Sequence, residues 1–136
     1  MKTMQFMRQP VVAATRDAPV RDIAAQLASN EFSGMPVAEP DGTVVGVVSE
    51  ADILRALLAG RSLDALTAQD IMDPEPITVD AETPLAEAMK IIYEKGVLRL
   101  PVTQQGKLVG VISRSDIIRA AVDLRSLERL PFILFG

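Results

Sequence analysis

The stretch GVVSEAD at residues 46–52 returns as GVISRSD at residues 110–116, and this repetition decides the fold. Between residues 42 and 56, nine of fifteen positions are identical to those found 64 residues later. Farther towards the amino terminus the offset is 65, so that Pro36 aligns with Pro101. A period this long indicates two copies of one small module rather than an open solenoid. Two such copies are expected to pack about a pseudo-twofold axis and to form equivalent clefts where they meet.

Each copy has the pattern of an extended segment, a helix, two strands and a second helix. Apolar residues spaced i, i+3, i+4 and i+7 follow a proline in both copies, which predicts an amphipathic helix that begins there. Two short apolar runs around a turn predict a hairpin, and the serine after the second run predicts the start of another helix. The sequence therefore predicts an α+β (α/β) fold of two β-α-β-β-α repeats packed through their sheets. The predicted helix faces are Val20, Ile23, Ala24 and Leu27, then Leu85, Ala88, Met89 and Ile92, and the predicted first strands are 11–14 and 77–79.

The repeat also sets the expected domain boundaries. The first repeat is predicted over residues 8–59 and the second over residues 76–122, with a connector at 60–75. Within the connector, Asp70 to Asp73 predicts a short helical turn that the following prolines end. An apolar tail occupies residues 123–136. We expect the tail to dock on its own module or, alternatively, to contribute to a subunit contact.

Composition excludes several classes of function. The chain has 136 residues, a net charge of −4, no Cys and no His. The basic residues are scattered, which argues against nucleic acid as a partner. Without Cys and His, zinc sites and triad chemistry have no ligands or nucleophile-base pair, so we expect no enzyme, no catalytic residues and no metal site. No apolar stretch approaches the roughly 18 to 20 residues that span a bilayer, so we expect no membrane span and a cytoplasmic protein.

The repeated Ser-x-x-Asp motif admits two interpretations. At the junction of a strand and a helix, free N–H groups can hold an anion, and an Asp three residues later can accept hydrogen bonds from the vicinal hydroxyls of a ribose. The glycine that precedes it in the strand lets something approach the backbone closely. The same pattern is also a capping box, in which both side chains satisfy the N–H groups of their own helix.

The order of these motifs resembles the cystathionine-β-synthase (CBS) domain, present as a tandem pair or Bateman module. The resemblance depends on the VVGVVS-x-x-DI and VGVIS-x-x-DII phrases, the Pro-Val pairs before each turn, and the Asp70-Ile71-Met72 phrase of the connector. It covers residues 8–122, and it implies two clefts that bind adenosine-containing ligands such as AMP, ADP, ATP or S-adenosylmethionine. A regulatory sensor of this kind implies a homodimer and a separate protein effector. The alternative is a structural module that dimerises and binds a protein partner with its clefts empty.

The resemblance also implies which residues contact the ligand. Asp116 and Asp52 match the residues that accept the ribose hydroxyls in the family, and Ser113 and Ser49 match those near the phosphates. Each cleft also takes residues from the other copy. The implied contacts are Asp116, Ser113, Ser115, Arg99, Val12 and Phe32 at the first cleft, and Asp52, Ser49, Ile77 and Val97 at the second.

The two clefts are not expected to be equal. Arg99 matches a position that touches phosphate in relatives, whereas its counterpart 65 residues earlier is Gly34. Glu50 is an acidic neighbour of Asp52 and would repel a phosphate. The cleft beside Asp116 is therefore the preferred site. The alternatives for Arg99 are a solvated surface side chain or an ion pair with Glu94.

Overall fold

The computed structural model describes residues 1–30, 32–122, 133 and 135–136, and it has the predicted arrangement of two α+β repeats. Prediction and structure agree on the order of elements, so the fold class is confirmed. The prediction for the tail at 123–136 lies outside the described residues, apart from 133, 135 and 136. The elements are α1 (Val20–Asn30), β1 (Gly34–Ala38), β2 (Val44–Ser49), α2 (Glu50–Leu58), α3 (Ala68–Ile71), β3 (Val79–Asp80), α4 (Leu85–Lys95), β4 (Arg99–Gln104), β5 (Lys107–Ser113) and α5 (Arg114–Ala121).

The first helix of each repeat is held by its apolar face. Residues at the predicted spacing of α1 and α4 are buried, and α4 ends at Gly96, whose φ of 65° is a left-handed conformation that glycine adopts freely. Two predicted residues depart from this pattern: Ala24 is only partly buried, and Met89 is 45% exposed. The buried residues are Val20, Ile23 and Leu27 in α1, and Leu85, Ala88 and Ile92 in α4.

The sheets have equivalent topologies in the two repeats. Strands β1 and β2 pair antiparallel, as do β4 and β5. Strand β3 pairs parallel with β4 through Val79 and Val102, and the equivalent contact in the first repeat is a single bridge between Ala14 and Val37. The strand predicted at 11–14 is therefore reduced to one residue, because the chain turns at once, with the Ala18 N–H donating to the Thr15 carbonyl.

The repeats meet at their hairpin turns. Thr43 bridges Lys107, its own equivalent 64 residues later, and the Leu108 N–H donates to the Gly42 carbonyl at 2.9 Å. A bridge between equivalent residues lies on the axis that relates the copies, so the predicted pseudo-twofold arrangement is present. Each repeat has its own apolar core, one centred on Val37 and Val48 and the other on Val102 and Ile112.

Residues 1–8, which we call the arm, dock on the second repeat. The Thr3 N–H donates to the Thr83 carbonyl at 2.8 Å, and Arg8 forms a β-bridge with Val111. The connector docks on the first repeat in the same way, since the Ala68 N–H donates to the Ala18 carbonyl at 2.9 Å. The sequence predicted a first repeat that begins at residue 8, and it predicted no role for the arm. In the structure the arm and the connector are equivalent segments, each completing one repeat.

Candidate functional site

Two clefts lie between the repeats, and they differ in size. The Asp116 cleft encloses a cavity of about 720 Å³, whereas the Asp52 cleft encloses about 240 Å³. All ten residues selected from the sequence line one or both clefts. The Asp116 cleft is lined by Val12, Phe32, Arg99, Ser113, Ser115 and Asp116, together with Arg8 and neighbouring residues, and the Asp52 cleft is lined by Ser49, Asp52, Ile77, Val97, Arg99 and Asp73 among others.

Both Ser-x-x-Asp motifs form capping boxes. Ser113 Oγ accepts from the Asp116 N–H at 3.2 Å, and Asp116 Oδ2 accepts from the Ser113 N–H at 2.9 Å. Ser49 and Asp52 repeat this arrangement at 3.2 and 2.8 Å. The capping interpretation therefore accounts for Oδ2 of each Asp. The two interpretations are compatible, because Oδ1 of each Asp bonds to side chains and not to the helix backbone.

Asp116 is a buried carboxylate held by two arginines. Its side chain is 3% exposed, and Oδ1 accepts from Arg8 Nε at 2.8 Å and from Arg119 Nη1 at 3.2 Å. Burial acts to raise the pKa of Asp116, but the hydrogen bonds from Arg8 and Ser113 outweigh it and hold the pKa below its usual value. Asp116 is therefore ionised at neutral pH, with a negative charge that faces the larger cavity.

Asp52 is held differently. Its Oδ1 accepts from Arg55 Nη1 at 3.0 Å, and this arginine lies one turn along the same helix with a side chain that is 73% exposed. Among the described residues, the connector forms no ion pair with Asp52, and Asp73 lies where the arm places Arg8 in the other cleft. Asp73 Oδ1 accepts from the Glu75 N–H at 3.0 Å.

The charge of the two clefts is opposite in sign. Arg8, Arg99 and Asp116 line the larger cleft, giving two cations and one anion. Asp52, Asp73 and Arg99 line the smaller cleft, giving two anions and one cation. Sequence analysis attributed the acidic character to Glu50, but Glu50 is not among the lining residues, and Asp73 takes that role. The contrast expected from Arg99 is also wrong, because Arg99 lines both clefts. The difference in charge comes from Arg8 in one cleft and Asp73 in the other.

Arg99 lies between the two clefts and lines both. Its guanidinium carbon is 5.6 Å from the centre of the Phe32 ring, a cation-π distance. Its Nε is buried and has no hydrogen-bond partner among the described residues. Burial lowers the pKa of Arg99, and the positive charge of Arg8 lowers it further, against the attraction of Asp116. Neither sequence alternative describes this residue, since Arg99 is partly buried and Glu94 lies 3.9 Å from Lys90 instead.

Comparison with known families identifies the arrangement. The family model described as "CBS domain" matches residues 4–59 and 68–123. The chain belongs to the CBS-domain family. Each match includes one Ser-x-x-Asp motif, and together they form the tandem pair, or Bateman module, that the sequence predicted.

Curated relatives of this CBS pair include longer proteins. The chloroplastic CBS domain-containing protein CBSX2 of Arabidopsis thaliana is 29% identical over 146 residues, covering 87% of this chain and 61% of the relative. The uncharacterised protein MK0525 of Methanopyrus kandleri is 26% identical over 117 residues, covering 85% and 60%. The chain thus spans about 60% of the length of these relatives.

Solved structures of CBS pairs have the same fold. The crystal structure of CBSX2 in complex with AMP matches with a TM-score of 0.76 and 30% identity, covering 94% of this chain and 98% of that one. The CBS domain pair of protein MJ0100, in complex with 5′-methylthioadenosine and S-adenosyl-L-methionine, matches with a TM-score of 0.80 and 20% identity, covering 90% and 100%. At that lower identity the second match shows the fold alone.

Gly46 and Gly110, the glycines that precede the two Ser-x-x-Asp motifs, allow other segments of the chain to pack closely on β2 and β5. A Cβ at Gly110 would lie 2.6 Å from Met7 Sδ and 2.9 Å from the Arg8 carbonyl oxygen. A Cβ at Gly46 would meet Met72 and Asp73 in the same way, at 2.5 and 2.8 Å. The close approach to these glycines that the sequence predicted is present, but the approaching group is not a ligand. The segments that approach are the arm and the connector, and the arm thereby positions Arg8 in the cleft.

Arg8 is the site residue that sequence analysis missed. The signal was present in the repeat, because the offset of 65 aligns Met7 with Met72 and Arg8 with Asp73. Extending the alignment to the arm would have shown that opposite charges occupy equivalent positions.

Among the described residues no group of three or more acidic side chains is arranged to hold a metal ion. Of the helices described, none is long and apolar enough to cross a membrane.

Proposed function

We propose that this CBS pair is a regulatory module that binds an adenosine-containing ligand in the Asp116 cleft. The observation that supports it best is a cavity of about 720 Å³ that is lined by a buried, ionised carboxylate, Asp116, and by the arginines Arg8 and Arg99. Cavities of about 300 to 1,000 Å³ are typical of small-molecule sites. The AMP complex of CBSX2, at 30% identity, supports the same class of ligand.

The roles follow from the chemistry of each group. Asp116 is placed to accept hydrogen bonds from the ribose hydroxyls, and the Ser113–Ser115 corner opens a helix whose N–H groups favour an anion. Arg99 lines the cavity, and its guanidinium group can donate a charge-assisted hydrogen bond to a phosphate oxygen. Val12 and Phe32 supply an apolar surface for the adenine ring. Ligand binding then changes the output by favouring one arrangement of the module over another, which a separate protein or a second copy detects.

The Asp52 cleft is proposed as the weaker site. Its cavity of about 240 Å³ is below the usual range for a ligand of this size, and its lining has a surplus of negative charge. A phosphate placed there would face Asp52 and Asp73 with Arg99 as the one cation among the described lining residues. The capping role of Ser49 and Asp52 is sufficient to explain their presence.

A ligand panel tests the proposal. We expect AMP, ADP or another adenosine compound to raise the unfolding free energy by about 2.7 kcal/mol at a concentration of 100 times its Kd. Thermal unfolding with AMP, ADP, ATP, S-adenosylmethionine and NAD measures this, and titration calorimetry gives the stoichiometry, which we expect to be one ligand per chain. If no member of the panel raises the melting temperature, the module is the ligand-free interaction domain instead.

The same module is proposed to form a homodimer through its second helices. Leu54 and Leu58 of α2 are 58% and 90% exposed, and their equivalents Ile118 and Val122 are 63% and 50% exposed. An apolar surface repeated about a pseudo-twofold axis suits an isologous contact with a second copy. We expect the double variant Leu54→Asp, Ile118→Asp to be monomeric by light scattering while the unaltered chain is dimeric. A monomeric unaltered chain at high concentration would contradict the dimer.

A further inference from the structure

The acceptor capacity of Asp116 is nearly exhausted in the ligand-free protein. A carboxylate offers about four lone-pair positions. Oδ2 accepts from the Ser113 N–H, and Oδ1 accepts from both Arg8 and Arg119. About one position remains, whereas two vicinal ribose hydroxyls need two. One of the present donors must leave before Asp116 can hold a ribose.

Of the two arginine donors, Arg8 is the one that lines the cleft and can bond a ligand there. The Ser113 N–H is fixed by the capping box, and Arg119 lies outside the lining of the cleft, one turn along α5 from Asp116. The Arg8 side chain is 58% exposed, and its backbone is held on Val111 by two hydrogen bonds of 2.8 and 3.1 Å. The guanidinium can therefore change partner within the cleft while the arm stays docked.

The charges that line the cleft favour a change of partner by Arg8 when an anion enters. Arg8 and Arg99 both line it, and Asp116 is the single carboxylate among the described lining residues. An entering phosphate would supply the second negative charge and a bidentate partner for a guanidinium. A neutral ligand would displace Arg8 from Asp116 without supplying a new anionic acceptor for its guanidinium. A cationic ligand would be repelled by two guanidinium groups.

We infer that Arg8 determines the specificity of the Asp116 cleft by exchanging Asp116 for the phosphate of the ligand. In the ligand-free chain Arg8 occupies the carboxylate that a ribose needs, and it moves to a 5′-phosphate when a nucleotide enters. The cleft therefore selects phosphorylated adenosine over adenosine and over the sulfonium cation S-adenosylmethionine. This inference rests on the proposed function of the cleft. The Asp52 cleft has no equivalent exchange, since Asp73 occupies the position of Arg8 there.

The experiment compares AMP with adenosine on three proteins. Titration calorimetry on the unaltered chain, Arg8→Gln and Arg119→Gln gives both dissociation constants for each. We expect the unaltered chain to prefer AMP by at least about tenfold. Arg8→Gln is expected to weaken AMP binding by about tenfold or more while adenosine binds as well as before or more tightly, since Asp116 is then free. Arg119→Gln removes the other arginine from the same oxygen and should leave the AMP-to-adenosine ratio within about twofold.

The outcomes distinguish failure of the Arg8 exchange from failure of the proposed ligand binding. If Arg8→Gln weakens AMP and adenosine equally, Arg8 is a structural residue and the exchange is wrong. The exchange is equally wrong if Arg8→Gln changes neither dissociation constant, because Arg99 then recognises the phosphate alone. If the unaltered chain binds S-adenosylmethionine but neither AMP nor adenosine, the exchange alone is wrong. If it binds neither compound and no member of the ligand panel, the proposed function fails as well. Arg8→Lys keeps the charge without the planar fork, and an intermediate ratio in this variant guards against a folding defect in Arg8→Gln.

Discussion

Replacing Gly110 with alanine is expected to lower the unfolding free energy by about 2 to 4 kcal/mol. The added Cβ would lie 2.6 Å from Met7 Sδ and 2.9 Å from the Arg8 carbonyl oxygen. The methionine can change rotamer, but the carbonyl oxygen belongs to the bridge with Val111 and can retreat only if the arm leaves β5. Urea unfolding followed by circular dichroism measures the loss.

A double variant separates the two contacts. In the Met7→Ala background, the added Cβ no longer meets the sulfur but still meets the Arg8 carbonyl oxygen. We therefore expect Gly110→Ala to lower the unfolding free energy of Met7→Ala by less than it lowers that of the unaltered chain, but not by zero. Gly46→Ala is the matched change in the first repeat, where Met72 and Asp73 make the equivalent contacts. A Gly110→Ala chain as stable as the unaltered one would show that the arm does not pack on β5 as described.

Asp116→Ala is expected to reduce affinity for the adenosine ligand by at least about 30-fold, equivalent to about 2 kcal/mol. The change removes the ribose acceptor and leaves Arg8 without its partner in the ligand-free chain. It also removes the acceptor of the Ser113 N–H, so we expect about 1 kcal/mol of lost stability. Titration calorimetry and thermal unfolding on the same sample separate the two effects.

Asp52→Ala is the matched control because it removes the same cap from the other repeat. Asp52 Oδ2 accepts from the Ser49 N–H at 2.8 Å, so stability should again fall by about 1 kcal/mol. Affinity for the ligand should stay within about twofold of the unaltered chain, since Asp52 faces the smaller cleft. Equal losses of affinity in the two variants would contradict the assignment of the site to the Asp116 cleft.

The sequence predicted what the repeat itself encodes. Two aligned copies were enough to place the helices, the hairpins and the two Ser-x-x-Asp corners, because each depends on local spacing and capping. The cross-repeat lining by Val12, Phe32, Ile77 and Val97 came from the family resemblance, which implies that each cleft draws on both copies. These positions lie in the two clefts in the structure.

The remaining features depend on packing between distant segments. Spacing alone could not show that Met89 is 45% exposed, because burial depends on which distant segments pack on that side of α4. Arg8 was missed because its role requires the arm to return to β5, a contact that only an extension of the 65-residue alignment to the arm would have indicated. The unpaired Nε of Arg99 depends likewise on the position of Phe32 in the other repeat.

The docking of the arm has a consequence for how the protein assembles during synthesis. Met7 packs on Gly110, so the chain must close a loop of about a hundred residues before the second repeat is complete. The ribosome makes the arm before either repeat, yet the surface that receives it emerges late. The first repeat can fold as soon as the connector that follows it has been made, whereas the arm cannot dock until β5 forms.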